Sequence, residues 1–154
     1  MALAYLDTSA LAKRYLPEVG SAWVARLCQQ EPVAISLVAL PELASALARR
    51  TREGALTAQQ RDALFQAFLR DARSFMVVEP GQAIAQQAAA LLLTAPLPVR
   101  LRTLDALHVA SARLAFARAR RRGIATGSLV TADRALLDAA SWAGLPTLNP
   151  EDYP

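Results

Sequence analysis

The chain has 154 residues, 54% of them hydrophobic and 19% charged, with a formal net charge of +4 and a sequence pI near 10.0. That balance fits one globular domain with a real core, spanning 1–154, and excludes a disordered chain. A single cysteine, Cys28, and a single histidine, His108, exclude an intrachain disulfide and leave no Cys/His set for a structural zinc.

In chain order, ALAYLD reads as a short buried strand stopped by Asp7. TSALAKRYL reads as a helix capped by Asp7 or Thr8 and ended by Pro17. GSAWVARLCQQ is a second helix, with Cys28 as a small buried hydrophobe, and PVAISL is a second strand. ALPELASALARRTREG is a helix carrying Pro41 in its first turn, where a missing N–H costs nothing. LTAQQRDALFQAFLRDA opens on Thr57 as cap and is amphipathic. SFMVVEP is a third strand, and GQAIAQQAAALLLTA a helix ended by APLP. LRTLDALHVASARLAFARARRRG is a long helix with Thr103 as cap and Gly123 as stop. IATGSLVTAD is a fourth strand, DRALLDAASWAG the last long helix and LPTLNP a short fifth strand. Strands alternating with helices predict an α/β three-layer sandwich around a mostly parallel sheet of about five strands. AAALLLTAPLPV is too short to span a bilayer, and MALAYLDTSAL lacks the positive n-region of a secretory signal. The expectation is a soluble cytoplasmic protein with no membrane partner.

Four acids stand directly against apolar sequence: Asp7, Glu42, Asp105 and Asp133. All four fall where helices begin, and the helix dipole stabilises a negative charge there by about 0.3–1 kcal/mol. Capping alone explains each one singly. Their setting differs from that of Glu53, Asp62, Asp71 and Asp138, which have Arg nearby and read as solvated helix faces. No Lys or Arg stands out in the sequence as a partner for all four. In a parallel sheet, ligands bind outside the carboxyl ends of the strands. Asp7 and Asp133 follow strands directly, and Glu42 follows the second strand closely. Asp105 follows a loop whose path the sequence leaves open. Two carboxylates about 4 Å apart repel by roughly 4 kcal/mol at an effective dielectric near 20. A gathered quartet therefore calls for cations or shared protons, and hard divalent ions suit an all-oxygen site.

DTSAL after the first strand, PEL on the helix after the second, TLDALHVA opening a late helix and LVTADRALLDAA near the end come in an order that resembles the PIN-domain nucleases. The likeness is in particular to the VapC-type toxins of toxin–antitoxin pairs, and it runs from Asp7 to Pro150. It implies an Mg²⁺- or Mn²⁺-dependent endoribonuclease whose acidic quartet is Asp7, Glu42, Asp105 and Asp133. Asp7 and Asp105 are then the principal metal ligands, with Glu42 and Asp133 completing the site. It also implies an RNA substrate, a homodimer and a small antitoxin partner. Ser9 and Thr8 beside Asp7, and Thr131 near Asp133, are supporting hydroxyls in this reading. His108 is a packed helix residue.

Arg100, Arg102, Lys13 and Arg14 lie close in sequence to the acids and are candidate RNA contacts. The run Arg118–Arg122 sits at a helix end, where the dipole favours positive charge. Trp23, Leu27, Phe65, Phe68 and Leu69 read as core, or as a groove for an antitoxin helix. The alternative function is a PIN-like RNA-processing or RNA- or protein-binding module outside a toxin–antitoxin pair. A DNA structure-specific nuclease would need arch segments that the sequence lacks. A phosphoacceptor switch domain would need an Asp ending the third strand and a later Lys, where the chain has Glu79 and only Lys13.

Overall fold

A computed structural model describes residues 1–153. The strands are β1 (Ala2–Leu6), β2 (Val33–Ser36), β3 (Met76–Val78), β4 (Ala125–Val130) and β5 (Thr147–Leu148). They form one sheet in the order β3-β2-β1-β4-β5, and every pairing is parallel. The helices are α1 (Thr8–Ala12), α2 (Ser21–Gln30), α3 (Ala39–Arg52), α4 (Ala58–Asp71), α5 (Gln82–Thr94), α6 (Thr103–Arg121) and α7 (Arg134–Trp142). Short 3-10 turns follow α4 and β5.

Helices cover both faces of the sheet, which is why its central strands are continuous apolar runs rather than alternating ones. Ala4, Leu6, Val33, Ile35 and Val130 face the helices α1 to α4. Leu3, Tyr5, Ala34, Val78 and Leu129 face α5, α6 and α7. The helix α6 lies deepest, with Ala106, Ala110, Ala112, Ala115 and Ala119 all buried. Alanine there lets the helix sit close to the sheet while α5 packs on its other side.

Strand order places the site. The chain moves outward from β1 through β2 to β3, then crosses back to lay β4 on the other side of β1. The strand β1 is thus the topological switch point, and a crevice opens outside its carboxyl end. Leu6 stands opposite Val130, so Asp7 and Thr131 leave the sheet side by side. The Asp7 amide donates to the Val130 carbonyl at 3.1 Å.

Several boundaries differ from the sequence expectation. The helix α1 ends at Ala12, and residues 13–15 close by tighter i→i−3 hydrogen bonds ahead of Pro17. The cap of α6 is Arg102, and Thr103 is its first helical residue. The expected cap at Thr57 forms a full capping box with Gln60. Phe68 is wholly buried, while Trp23, Leu27, Phe65 and Leu69 pack around the same core at its edge. Cys28 is half-buried beside them.

The C-terminal turn is fastened across this edge. Trp23 stacks on Tyr153 with centroids 4.8 Å apart. Gly20 caps α2 at φ +84°, and a Cβ there would collide with the Pro150 carbonyl. Gly54 has a similar φ of +77° but open space around it. Gly20→Ala should therefore lower the unfolding free energy by about 2–4 kcal/mol, combining left-handed strain with overpacking. Gly54→Ala should cost only about 1–2 kcal/mol. Urea unfolding of both variants checks this, and equal losses would contradict it.

Candidate active site

Asp7 is 5% exposed, with its backbone extended where β1 gives way to α1. Three groups donate to its carboxylate. The Ala10 amide reaches Oδ1 at 2.9 Å, Ser9 Oγ reaches Oδ1 and Oδ2 at 2.8 and 2.9 Å, and Thr131 Oγ1 reaches Oδ2 at 2.8 Å. The two hydroxyls are themselves held by the amides of Ala132 and Asp133, at 2.9 and 3.0 Å. Ser9 and Thr131 thus tie the ends of β1 and β4 around one carboxylate. Burial raises the Asp7 pKa, against the downward pull of His108 and of these donors. Beside it, the Thr8 hydroxyl is buried without a hydrogen-bond partner among the described residues, and Thr8 lines the adjoining cleft. An unmet buried hydroxyl costs about 1–3 kcal/mol, a cost that this edge of the site carries.

Glu42 enters from α3 and lines the same cleft. Its Oε1 accepts from His108 Nε2 at 2.8 Å, and His108 Nδ1 meets the Tyr5 hydroxyl at 2.9 Å. Both rings are buried, Tyr5 fully and His108 to 2% exposure. Burial first, and then the Asp7 charge, hold Tyr5 as a neutral phenol. Nε2 faces a carboxylate and therefore carries a proton. In the neutral ring Nδ1 accepts from the phenol, and in the imidazolium it donates to the phenol oxygen. Burial alone would depress the His108 pKa. The bond to Glu42 and the charges of Asp7, Glu42 and Asp105 outweigh it and raise the value.

Asp105 is 5% exposed in the first turn of α6. Its carboxylate receives Arg102 three times: backbone N to Oδ2 at 3.2 Å, Nε to Oδ2 at 2.9 Å and Nη2 to Oδ1 at 3.3 Å. The same Nη2 reaches Asp133 Oδ2 at 2.7 Å. Asp133 caps α7, its Oδ1 accepting from the amides of Ala135 and Leu136 at 2.9 and 3.4 Å. A partner the sequence did not reveal thus serves two of the four acids at once.

The acids share one neighbourhood but not one open ring. Glu42 lines a cleft of about 660 Å³ with Thr8, Ser9, Lys13 and Leu104. Asp133 faces a smaller hollow with Arg100 and Arg102. Asp7 and Asp105 lie behind the surface, and His108 is within charge range of Asp7, Glu42 and Asp105. Among the described residues, no three acid, imidazole or thiol groups close around a single point. The donor chemistry fits a hard divalent ion: every candidate ligand is oxygen, and a guanidinium already bridges two of the carboxylates. Lys13 Nζ is buried and paired with Glu18 and Glu151 at 3.3 and 3.0 Å. Arg14 turns to Asp71 of α4 at 2.7 Å.

Sequence reading passed over His108 as a holder of Glu42 and Arg102 as an ion-pair partner. The available signal was helical spacing: both stand three residues from Asp105 on its own helix or cap. A raised folded-state pKa for His108 means that its contribution to stability is complete below the ordinary value of 6.5 and is lost as pH rises through the raised one. Wild-type unfolding free energy should therefore fall over that window, and His108→Gln, which keeps a donor but does not titrate, should remove the slope. An identical slope in both proteins, followed by urea unfolding at stepped pH, would contradict this.

Solved structures share this architecture. FitAcB from Neisseria gonorrhoeae is 17% identical with a TM-score of 0.65, covering 96% of this chain and 97% of its own. VapBC2 from Rickettsia felis, bound to a promoter DNA fragment, is 14% identical with a TM-score of 0.62, covering 96% and 98%. VapC20 from Mycobacterium tuberculosis, a sarcin–ricin loop cleaving toxin, is 22% identical with a TM-score of 0.62, covering 92% and 95%. At these identities the likeness is one of fold. No curated protein matches the chain in sequence. The sequence profile described as PIN domain matches residues 4–141, a span that takes in Asp7, Glu42, Asp105 and Asp133 together. With these acids gathered about the carboxyl edge of an all-parallel sheet, the chain belongs to the PIN-domain family.

Proposed function

We propose that this protein is a divalent-metal-dependent endoribonuclease and the toxin of a toxin–antitoxin pair. The observation that carries the reading is Asp7. A carboxylate is buried at the switch point of the sheet, oriented by Ser9, Thr131 and Ala10, beside the cleft that Thr8, Ser9 and Glu42 line. A structural cap has no need of that burial. Family membership supports the same chemistry, as does the likeness to a toxin that cleaves the sarcin–ricin loop and to complexes of VapBC and FitAB type.

In this reading Asp7 and Asp105 hold Mg²⁺ or Mn²⁺, with Glu42 and Asp133 completing the set. Such an ion supplies charge relief at a phosphodiester and lowers the pKa of an attacking water. The protein's own part is orientation. Ser9 and Thr131 fix both Asp7 oxygens, His108 holds Glu42 toward the cleft, and the Asp133 cap bonds fix one of its oxygens. Arg100, at the neighbouring hollow, offers a guanidinium for the RNA backbone. The RNA strand lies along the cleft between α1 and α3, and a small antitoxin partner silences the site by covering it. The active form is a homodimer. No helix among the described residues is long and apolar enough to cross a membrane.

Asp7→Asn should abolish Mn²⁺-dependent RNA cleavage, by about 10³-fold or more, since several kcal/mol of transition-state stabilisation go with the metal. It should not destabilise the fold. A raised Asp7 pKa means the ionised carboxylate costs stability as pH rises from the ordinary aspartate range through the raised value. The Asn variant should therefore gain in melting temperature relative to wild type across that window. Full cleavage by the variant would contradict the assignment.

A further inference from the structure

Among the described residues, every side-chain and backbone donor that reaches the Asp105 carboxylate belongs to Arg102. On Asp133, Oδ1 is committed to the amides of its own helix, and Oδ2 is held by Arg102. The oxygens that Asp105 and Asp133 can offer to a cation are thus the ones the guanidinium already uses. The three side chains differ sharply in freedom. The Asp105 side chain is 8% exposed and that of Asp133 33%, whereas that of Arg102 is 71% exposed. The acids lie back against the fold, and the guanidinium faces water. Both pairs share one guanidinium that is largely open to water, so a divalent ion with several oxygen ligands can displace it.

A displaced Arg102 does not leave the site. Its backbone is fixed as the cap of α6, next to Leu104 on the main cleft, and its side chain shares a hollow with Arg100. A guanidinium freed from carboxylates has its planar set of donors available for a phosphate.

We propose that Arg102 is an exchangeable internal counter-cation: it competes with the divalent ion for Asp105 and Asp133 and, once displaced, holds a phosphate of the RNA. The inference rests on the metal-dependent reading above and adds to it a coupling between two ligands. Metal frees the arginine for RNA, and RNA draws the arginine away from the acids. By thermodynamic reciprocity each ligand strengthens binding of the other by the same factor. A pure capping role for Arg102 predicts no such coupling.

The test is Mn²⁺ binding followed by electron paramagnetic resonance on the full chain, for wild type, Arg102→Gln and Arg100→Gln. Arg100→Gln removes the same charge nearby without releasing the two acids. Arg102→Gln should bind Mn²⁺ about fivefold more tightly than wild type, the scale of one lost competing ion pair, and Arg100→Gln should change it less. A 2′-O-methylated RNA oligonucleotide, which resists cleavage, should tighten Mn²⁺ binding by a larger factor in wild type than in Arg102→Gln. Unchanged or weaker Mn²⁺ binding in Arg102→Gln would overturn the competition. Equal tightening by the oligonucleotide in both proteins would overturn the coupling. No Mn²⁺ binding in wild type or in either variant would overturn the metal reading itself, a failure distinct from the other two.

Discussion

The structure turns on a carboxylate kept out of water. Asp7 sits at the one strand end where the sheet reverses its winding, beneath a shell of hydroxyl and amide donors. Burying an ionised group is costly unless it is bonded or paired. Here the bonds come from both sides of the switch point, so the site exists only when β1 and β4 lie side by side. Fold and site are therefore one construction. The parallel register that sets Leu6 against Val130 also brings Ser9 and Thr131 within 3.1 Å of each other.

The remaining charges arrange themselves around that centre. Glu42 is met by His108, which Tyr5 backs from the core, and Asp105 and Asp133 are met by Arg102. One of these partners is buried and the other is exposed to water. This division suits a site in which one carboxylate must keep its direction while two others exchange their cation. The Lys13 network with Glu18 and Glu151 does a different task. It fastens the C-terminal turn to α1 along the wall of the cleft.

Much of this was legible in the sequence. The run ALAYLD announced a doubly covered strand ending in an acid, and the alternation of elements announced the parallel sheet. Thr57 announced the start of α4. The acids Glu42 and Asp105 stood out because they interrupt apolar sequence. The illegible part lies in contacts between distant elements. His108 is 66 residues from Glu42, and Arg102 is 31 residues from Asp133. Neither pairing leaves a local pattern, because each depends on how α3, α6 and α7 meet at the sheet edge. The short α1 and the buried state of Lys13 were hidden for the same reason. The acids that partner Lys13 are Glu18, beyond Pro17, and Glu151, at the far end of the chain.

The central claim is that these acids converge on a divalent ion. A crystal of the protein soaked in Mn²⁺ and measured at a wavelength where manganese scatters anomalously tests it directly. The account predicts an anomalous peak at coordination distance, about 2.1 Å, from oxygens of Asp7 and Asp105, with Arg102 withdrawn from Asp105 and Asp133. A site without manganese, its guanidinium still bridging the two carboxylates, would contradict it.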